Sequence, residues 1–167
     1  MAALLGPKWD VRNYGVGGAT LLVHGDKPYT KQWAYTEALG LHPDVVVIML
    51  GTNDSKPINW DAHHGEFVAD YGDLIASFAA LDTKPIIFLC RPPPALPPPN
   101  YKIRGDVIEK EVIPAIDSVA RAHELGVIDI HAALMGRPEL LPDRVHPNAV
   151  GAGLMADAVD RVLTGAR

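Results

Sequence analysis

An aspartate and a histidine stand three positions apart near the end of the chain, in the stretch LPDRVHPNAV at residues 141–150. A carboxylate beside an imidazole fixes the tautomer of the ring and prepares its other nitrogen to accept a proton. Asp143 and His146 therefore have the residue types and the spacing of a general base and its orienting acid. Such a base needs a group to deprotonate, which is commonly the hydroxyl of a nucleophilic serine.

Two further stretches combine glycine with polar side chains: GVGG at residues 15–18 and GTND at residues 51–54. Each has an ordinary structural explanation, because glycine permits tight turns and Asn or Asp can bind its own backbone in a turn. Asp143 and His146 can likewise be turn partners before a helix. Taken singly, each stretch favours a structural role, whereas their shared position relative to the predicted strands indicates a site.

Short β-branched runs alternate with longer amphipathic segments, which predicts an α/β fold. The predicted strands span residues 11–16, 45–50, 86–90 and 127–130. The second and third are apolar on both faces, as parallel strands covered by helices must be. Ligands bind beyond the carboxyl ends of such strands, and this is where the polar stretches lie.

Three amphipathic helices are predicted, over residues 66–81, 105–125 and 148–163. Their apolar faces are Phe67, Tyr71, Leu74, Ile75 and Phe78 in the first, Ile108, Val112, Ile116 and Val119 in the second, and Leu154, Ala158 and Val162 in the third. Pro114 is expected to bend or divide the second helix. The proline-rich stretch at residues 91–99 is expected to be a stiff loop within the domain.

Composition limits the class of protein. A chain of 167 residues with 48% hydrophobic residues and a net charge of −5 predicts one domain with one core and no polyanion-binding face, so nucleic acid is not expected as a partner. No apolar run is long enough for a membrane span, and no basic region precedes the first apolar stretch, so the chain as it stands has no signal peptide and is expected to be cytoplasmic. The single cysteine, Cys90, excludes an internal disulfide.

Three segments carry a resemblance to a known family: NYGVGGATLL (Asn13 to Leu22), VVVIMLGTND (Val45 to Asp54) and DRVHP (Asp143 to Pro147). In this order they resemble sequence blocks of the SGNH, or GDSL-like, hydrolases. The segment GTNDSKPINW and the later RPPP look most like acylhydrolases known as sialate O-acetylesterase-like or carbohydrate esterases. The resemblance implies a flavodoxin-like three-layer α/β/α sandwich with a parallel sheet, and hydrolysis of short acyl esters without a cofactor or a metal.

The resemblance also implies roles for four residues. Gly18 would offer a backbone N–H, and Asn53 a side-chain amide, to the oxyanion that forms when an ester carbonyl is attacked. Such fixed donors are worth about 3 to 4 kcal/mol each in a dry site. Asp143 and His146 would be the acid and the base of a triad, and the substrate would be a small ester or an acetylated carbohydrate.

The sequence does not contain the nucleophile that the resemblance implies. The family carries it in a Gly-Asp-Ser motif after its first strand, and this sequence has no such motif. Residues 1–167 are therefore interpreted as one SGNH hydrolase-like domain that is truncated at its N-terminus and lacks the first strand. Ser77 and Ser118 fall within predicted helices. Ser55 and Cys90 follow strands at the relevant edge and are weak candidates, with a turn hydroxyl and a small buried hydrophobic residue as the alternatives.

The residues present are compatible with more than one function. The leading hypothesis is an esterase in which the Asp143 and His146 pair activates water, so that any activity is residual. An alternative is a non-catalytic module that binds a ligand or serves in assembly. A third is that the missing block is encoded upstream in the natural gene.

Loss of a central strand would leave its two neighbours with unpaired backbone groups. Either residues 11–16 pair directly with residues 45–50 in a four-stranded sheet, or a second copy covers the exposed edge. On this ground a homo-oligomer is predicted, most simply a dimer.

Three residues that follow the site-bearing strands are candidate pocket walls: His24, Trp60 and Arg91. In each case a surface or packing role is an equal alternative. Adjacent histidines such as His63 and His64 cannot complete a metal-ligand set by themselves, so a solvated loop is expected there.

Overall fold

The computed structural model describes residues 1–165, so the last two residues of the predicted domain lie outside the described part. Within it the sheet has three parallel strands in the order β1-β2-β3. They are β1 Val45–Ile48, β2 Ile86–Arg91 and β3 Gly126–Asp129. The second, third and fourth predicted strands are thus confirmed to within two residues at each end.

The α-helices are α1 Ala2–Leu5, α2 Trp33–Gly40, α3 Pro57–His63, α4 Phe67–Ala79, α5 Gly105–Val107, α6 Ile113–Ala122, α7 Ile130–Leu134 and α8 Ala149–Thr164. Short 3-10 segments cover Tyr29–Lys31, Asn53–Ser55, His64–Glu66 and Pro138–Leu140. No helix within residues 1–165 combines the length and the hydropathy needed to span a bilayer.

A π-helical turn, Ile108–Val112, separates α5 from α6. Pro114 is the second residue of α6 and has no N–H to donate to the preceding turn, so the wider turn falls directly before it. Residues 105–122 are helical throughout, so the chain widens into a π turn before Pro114 and is not broken there.

Alternate residues of β2 face two separate apolar clusters. Ile87 and Leu89 pack in a cluster built largely from α4 and α6. Phe88 and Cys90 pack on the other side, in a cluster that includes Ala158 of α8. Because successive strand residues point to opposite faces, the sheet lies between two helical layers, and the predicted three-layer α/β/α arrangement is confirmed.

The apolar faces predicted for the first two amphipathic helices are buried in full. In α8 the predicted face is buried only in part: Ala158 is buried, Leu154 is half-buried and Val162 is 40% exposed. Gly151 and Val159 are buried as well, so the buried face overlaps the predicted one at Ala158 and is shifted toward these two residues.

The prediction of a strand over residues 11–16 is wrong, because this stretch is irregular chain. The side-chain oxygen of Asn13 accepts a hydrogen bond from the Gly15 N–H at 2.9 Å, which closes a local turn. The stretch does not pair with β1, so the four-stranded alternative is not formed. Strand β1 is left at the edge of the sheet, with Val47 37% and Met49 42% exposed.

Candidate active site

The loop before α8 brings the predicted acid and base together. His146 Nδ1 lies 2.7 Å from Asp143 Oδ2, and Asp143 Oδ1 accepts the backbone N–H of His146 at 2.7 Å and of Val145 at 3.0 Å. These hydrogen bonds hold the pKa of Asp143 well below its usual range, and the one from the His146 backbone N–H has the largest effect. An ionised Asp143 favours a proton on Nδ1, which leaves Nε2 with a free lone pair. The His146 side chain is 69% exposed, so Nε2 is open to a ligand.

Gly18 and Asn53 lie in two loops that touch each other. Asn53 Nδ2 donates one hydrogen bond to the carbonyl of Ala19 at 3.1 Å, and its second N–H remains available. Gly18 has a φ of 81°, in the left-handed region that glycine occupies at little cost. Among the hydrogen bonds within residues 1–165, none uses the Gly18 N–H. The two proposed donors therefore sit on adjoining loops with hydrogen-bonding capacity unused.

Asp54 fastens these two loops to each other, a role that sequence reasoning missed. Its side chain is fully buried and accepts the backbone N–H groups of Leu21 at 3.0 Å and Leu22 at 2.8 Å. Burial raises the pKa of Asp54 to about 6, and the N–H donors act in the opposite direction. The sequence shows only an aspartate in a turn, because its partners lie more than thirty positions earlier.

Gly51 starts the turn that carries Asn53 and Asp54. Its φ is 114°, and a Cβ there would lie 2.7 Å from a methyl carbon of Val112. Both the conformation and the space thus require glycine, so the turn can approach the core closely.

The loop between β2 and α5 contacts both halves of the site. At one end, Asn100 Nδ2 donates to the Asp143 carbonyl at 2.9 Å, and the Tyr101 ring packs edge-on against the His146 ring with centroids 5.3 Å apart. At the other end, the Arg104 backbone N–H donates to Ser55 Oγ at 3.1 Å.

Arg104 also donates through Nε to the Ser55 carbonyl at 2.6 Å. The four chain steps from Asn100 to Arg104 span at most about 14 Å. The loop therefore connects the segment of Asp143 with the turn that carries Asn53. Sequence reasoning identified only a stiff proline-rich loop here and missed Asn100, Tyr101 and Arg104.

Ser55 and Cys90, the two candidate nucleophiles, are both buried in the fold. Ser55 is fully buried, and its hydroxyl donates to the Thr52 carbonyl at 2.8 Å while it accepts the Arg104 N–H. Cys90 is 1% exposed, and burial raises the pKa of its thiol to about 12, so it carries no thiolate at neutral pH.

The other two serines lie on helices. Ser77 donates to the Leu74 carbonyl within α4 at 2.6 Å, and Ser118 is exposed on α6. Within residues 1–165 the hydrogen bonds of His146 include none to a serine.

The three candidate pocket walls have other partners. Trp60 is 5% exposed in the core and donates to Glu111 at 2.7 Å. Arg91 pairs with Asp117 and Asp129 and lines a cleft of about 420 Å³ that also contains His131 and Met135. His24 pairs with Glu66 at the surface. The side chain found against His146 is instead Tyr101.

Comparison with known proteins relates the chain to acylhydrolases. The family model of the GDSL-like lipase/acylhydrolase family matches residues 1–154. An acetylxylan esterase from Xylanibacter ruminicola is 38% identical over 177 residues, which cover 95% of this chain and 36% of that protein. The chain thus spans about a third of the length of this relative.

Solved structures share the fold. A carbohydrate acetylesterase from Sinorhizobium meliloti superposes with a TM-score of 0.75 at 20% identity, covering 98% of this chain and 82% of the other. An aryl esterase from M. smegmatis has a TM-score of 0.74 at 18% identity, with the same coverage. At this identity the likeness establishes the fold, and it agrees with the predicted flavodoxin-like class.

Proposed function

This chain belongs to the GDSL-like lipase/acylhydrolase family, and from that premise we propose that it hydrolyses short acyl esters, acetyl esters of carbohydrates in particular. The observation that carries the proposal is the hydrogen bond of 2.7 Å between an ionised Asp143 and His146, whose second ring nitrogen is open to solvent.

In the proposed reaction, His146 Nε2 takes a proton from water while the water oxygen bonds to the acyl carbon. The carbonyl oxygen becomes an oxyanion and accepts hydrogen bonds from the Gly18 N–H and the free Asn53 N–H. The oxyanion then re-forms the carbonyl as the bond between the acyl carbon and the alcohol oxygen breaks, and His146 returns the proton to that oxygen. Asp143 stabilises the transient imidazolium. Rates below those of a complete triad are expected. The oxyanion donors and substrate binding alone accelerate the reaction about 10³- to 10⁴-fold over water, and the general base His146 multiplies this acceleration by about 10³-fold.

Acetylated carbohydrate is the favoured substrate on two grounds. One sequence relative is an acetylxylan esterase, and one structural relative is a carbohydrate acetylesterase. In addition, Tyr101 beside His146 is 57% exposed, so the site is open and can receive an acetyl group carried by a bulky alcohol.

Asn53→Ala tests the proposed oxyanion donors. We expect kcat for p-nitrophenyl acetate to fall about 10²-fold with little change in KM, because the lost hydrogen bond forms mainly in the transition state. Initial rates are measured with the buffer rate subtracted. Glu37→Ala, a change on an exposed side of α2, serves as the control and should match the wild type. Equal kcat in the wild type and Asn53→Ala would contradict the role of Asn53.

Because Ser55 and Cys90 are both buried, one second function is favoured: a module that binds acetylated carbohydrate without turnover. The two functions separate in one experiment on acetylated xylo-oligosaccharides. Saturable binding by calorimetry without acetate release above the buffer rate would establish the module in place of the esterase.

We also propose that two copies associate over the open edge of the sheet. Val47 in the edge strand β1 and Met49 just after it are exposed apolar residues, and Ile86 at the start of the neighbouring strand β2 is 62% exposed. Val47 pairs in register with Phe88, so it shares the face opposite the cluster of α4 and α6. A second copy would remove these side chains from water and cover the unpaired edge.

Val47→Lys should convert this dimer to a monomer, because a lysine at the centre of the contact would lose its hydration. Light scattering coupled to size-exclusion chromatography measures the mass across a range of concentrations. Val68→Lys, on an exposed side of α4, is the matched control and should remain dimeric. A wild-type mass of one chain at every concentration would refute the association.

A further inference from the structure

We propose that His24, His63 and Glu66 bind one divalent transition-metal ion, with Zn²⁺ as the natural candidate. The ligand atoms of the three side chains all lie within 4.8 Å of one another. His24 Nδ1 is 2.7 Å from Glu66 Oε2, and His63 Nδ1 is 3.1 Å from Glu66 Oε1. The two imidazole rings approach to 5.7 Å between centroids.

The types of the three ligand atoms determine which ion the site prefers. Two imidazole nitrogens and one carboxylate oxygen suit Zn²⁺ and other divalent transition metals, whereas Mg²⁺ and Ca²⁺ prefer oxygen ligands throughout. Three protein ligands leave a tetrahedral ion one position for water.

Only a small movement separates the present arrangement from a bound one. Ligand atoms about 2.1 Å from a tetrahedral zinc ion lie about 3.4 Å from each other. The distances from the two Nδ1 atoms to Glu66, 2.7 and 3.1 Å, are near that spacing. On binding, each histidine would give up its hydrogen bond to Glu66, its ring proton would move from Nδ1 to Nε2, and the Nδ1 lone pair would be directed at the ion. Side-chain exposures of 66% for His24, 30% for His63 and 41% for Glu66 allow an ion to enter from solvent.

The loop that carries His24 is held on both sides of that residue. The Val23 N–H donates to Asp70 at 2.8 Å, and the Asp26 N–H donates to Asn59 Oδ1 at 2.8 Å. Asn59 and His63 are four residues apart on α3 and therefore share one side of the helix. The loop thus follows that side of α3, which places His24 beside His63 before any ion binds and lowers the entropic cost of binding.

The site escaped the sequence analysis because His24 and Glu66 are 42 positions apart. The solvated loop expected at His63 and His64 is not formed, because His63 ends α3 and His64 begins the 3-10 segment His64–Glu66. His64 makes a separate hydrogen bond, with Nδ1 2.9 Å from the Trp60 carbonyl.

Isothermal titration of tag-free protein with ZnCl₂ tests the proposal. We expect one ion per chain, with affinity at least about 10-fold weaker in each of His24→Ala, His63→Ala and Glu66→Gln. His64→Ala is the matched control, since it removes a histidine from the same turn without removing a ligand, and it should bind as the wild type does. Zinc at 100 times its Kd should raise the wild-type Tm by about 5 to 10 °C.

Two further measurements make the test decisive. The Tm of each variant without metal shows whether it folds, and Glu66→Gln keeps the shape of the side chain. Co²⁺ in place of Zn²⁺ should give the visible absorption of a tetrahedral site in the wild type and not in the variants. The proposal is overturned if zinc does not bind, or if His64→Ala or His146→Ala abolishes binding while the ligand variants retain it.

Discussion

His146→Ala is expected to lower kcat for p-nitrophenyl acetate by about 10³-fold, within the 10²- to 10⁴-fold range of a general base. The physical reason is that His146 has the open nitrogen next to an ionised carboxylate, and alanine can neither accept nor return a proton. Steady-state rates with the buffer rate subtracted measure the effect.

Three further measurements show whether the fall in kcat of His146→Ala comes from the loss of the general base. Asp143→Asn should lower kcat by about 10²-fold or more, because an amide cannot stabilise the imidazolium. Added imidazole should restore part of the activity of His146→Ala, since the ring it replaces is largely exposed. His123→Ala changes an exposed histidine after α6 and should leave the rate unchanged. A His146→Ala rate equal to that of the wild type would eliminate the proposed base.

Asp54→Ala should lower the free energy of unfolding by about 3 kcal/mol at pH 7, because it leaves two buried N–H groups without an acceptor. Those groups belong to Leu21 and Leu22. Urea denaturation followed by circular dichroism measures the change. Asp70→Ala is the graded control, since this half-buried carboxylate accepts one N–H, that of Val23, and its loss should cost about 1 kcal/mol. Equal stability of Asp54→Ala and the wild type would contradict the role of Asp54 in joining the loops.

The pH dependence of this effect has a definite sign. The folded protein holds the Asp54 proton more tightly than the unfolded chain, because burial raises the pKa from 3.8 to about 6. The stabilisation associated with protonated Asp54 is present in full below pH 3.8 and decreases as pH rises to about 6. The stability advantage of the wild type over Asp54→Asn should therefore shrink by about 2 kcal/mol between pH 4 and pH 7. An advantage that grows with pH would show that the N–H donors outweigh burial.

Asp54 also connects stability to the proposed chemistry. It holds residues 21–22 against the turn of Asn53, and Asn53 in turn bonds to Ala19 next to Gly18. Its removal should therefore displace both oxyanion donors and lower kcat, although Asp54 itself is buried away from solvent. Asp54 is on this argument a positioning residue.

Local sequence determined the elements of the sheet and the helices. The apolar runs of β1 and β2 predicted strands correctly, and the spacing of Phe67, Tyr71 and Phe78 predicted a buried helix face correctly, because each pattern depends on the hydrophobicity of its own residues. The expected burial of both strand faces is wrong at Val47 and Ile86, which are exposed. The Asp143 and His146 pair was visible for a similar reason. Partners three positions apart can be joined by one loop, so their contact hardly depends on the rest of the fold.

Other features were decided by tertiary structure alone. Residues 11–16 have strand-like composition, but a strand requires a hydrogen-bonded neighbour, and none lies beside them in the described part of the chain. The contact of Asp54 with Leu21, that of Arg104 with Ser55, and the approach of His24 to Glu66 join residues more than thirty positions apart. Such contacts depend on which strand ends and loops the fold brings to one edge, and residue type and spacing along the chain contain no measure of that distance.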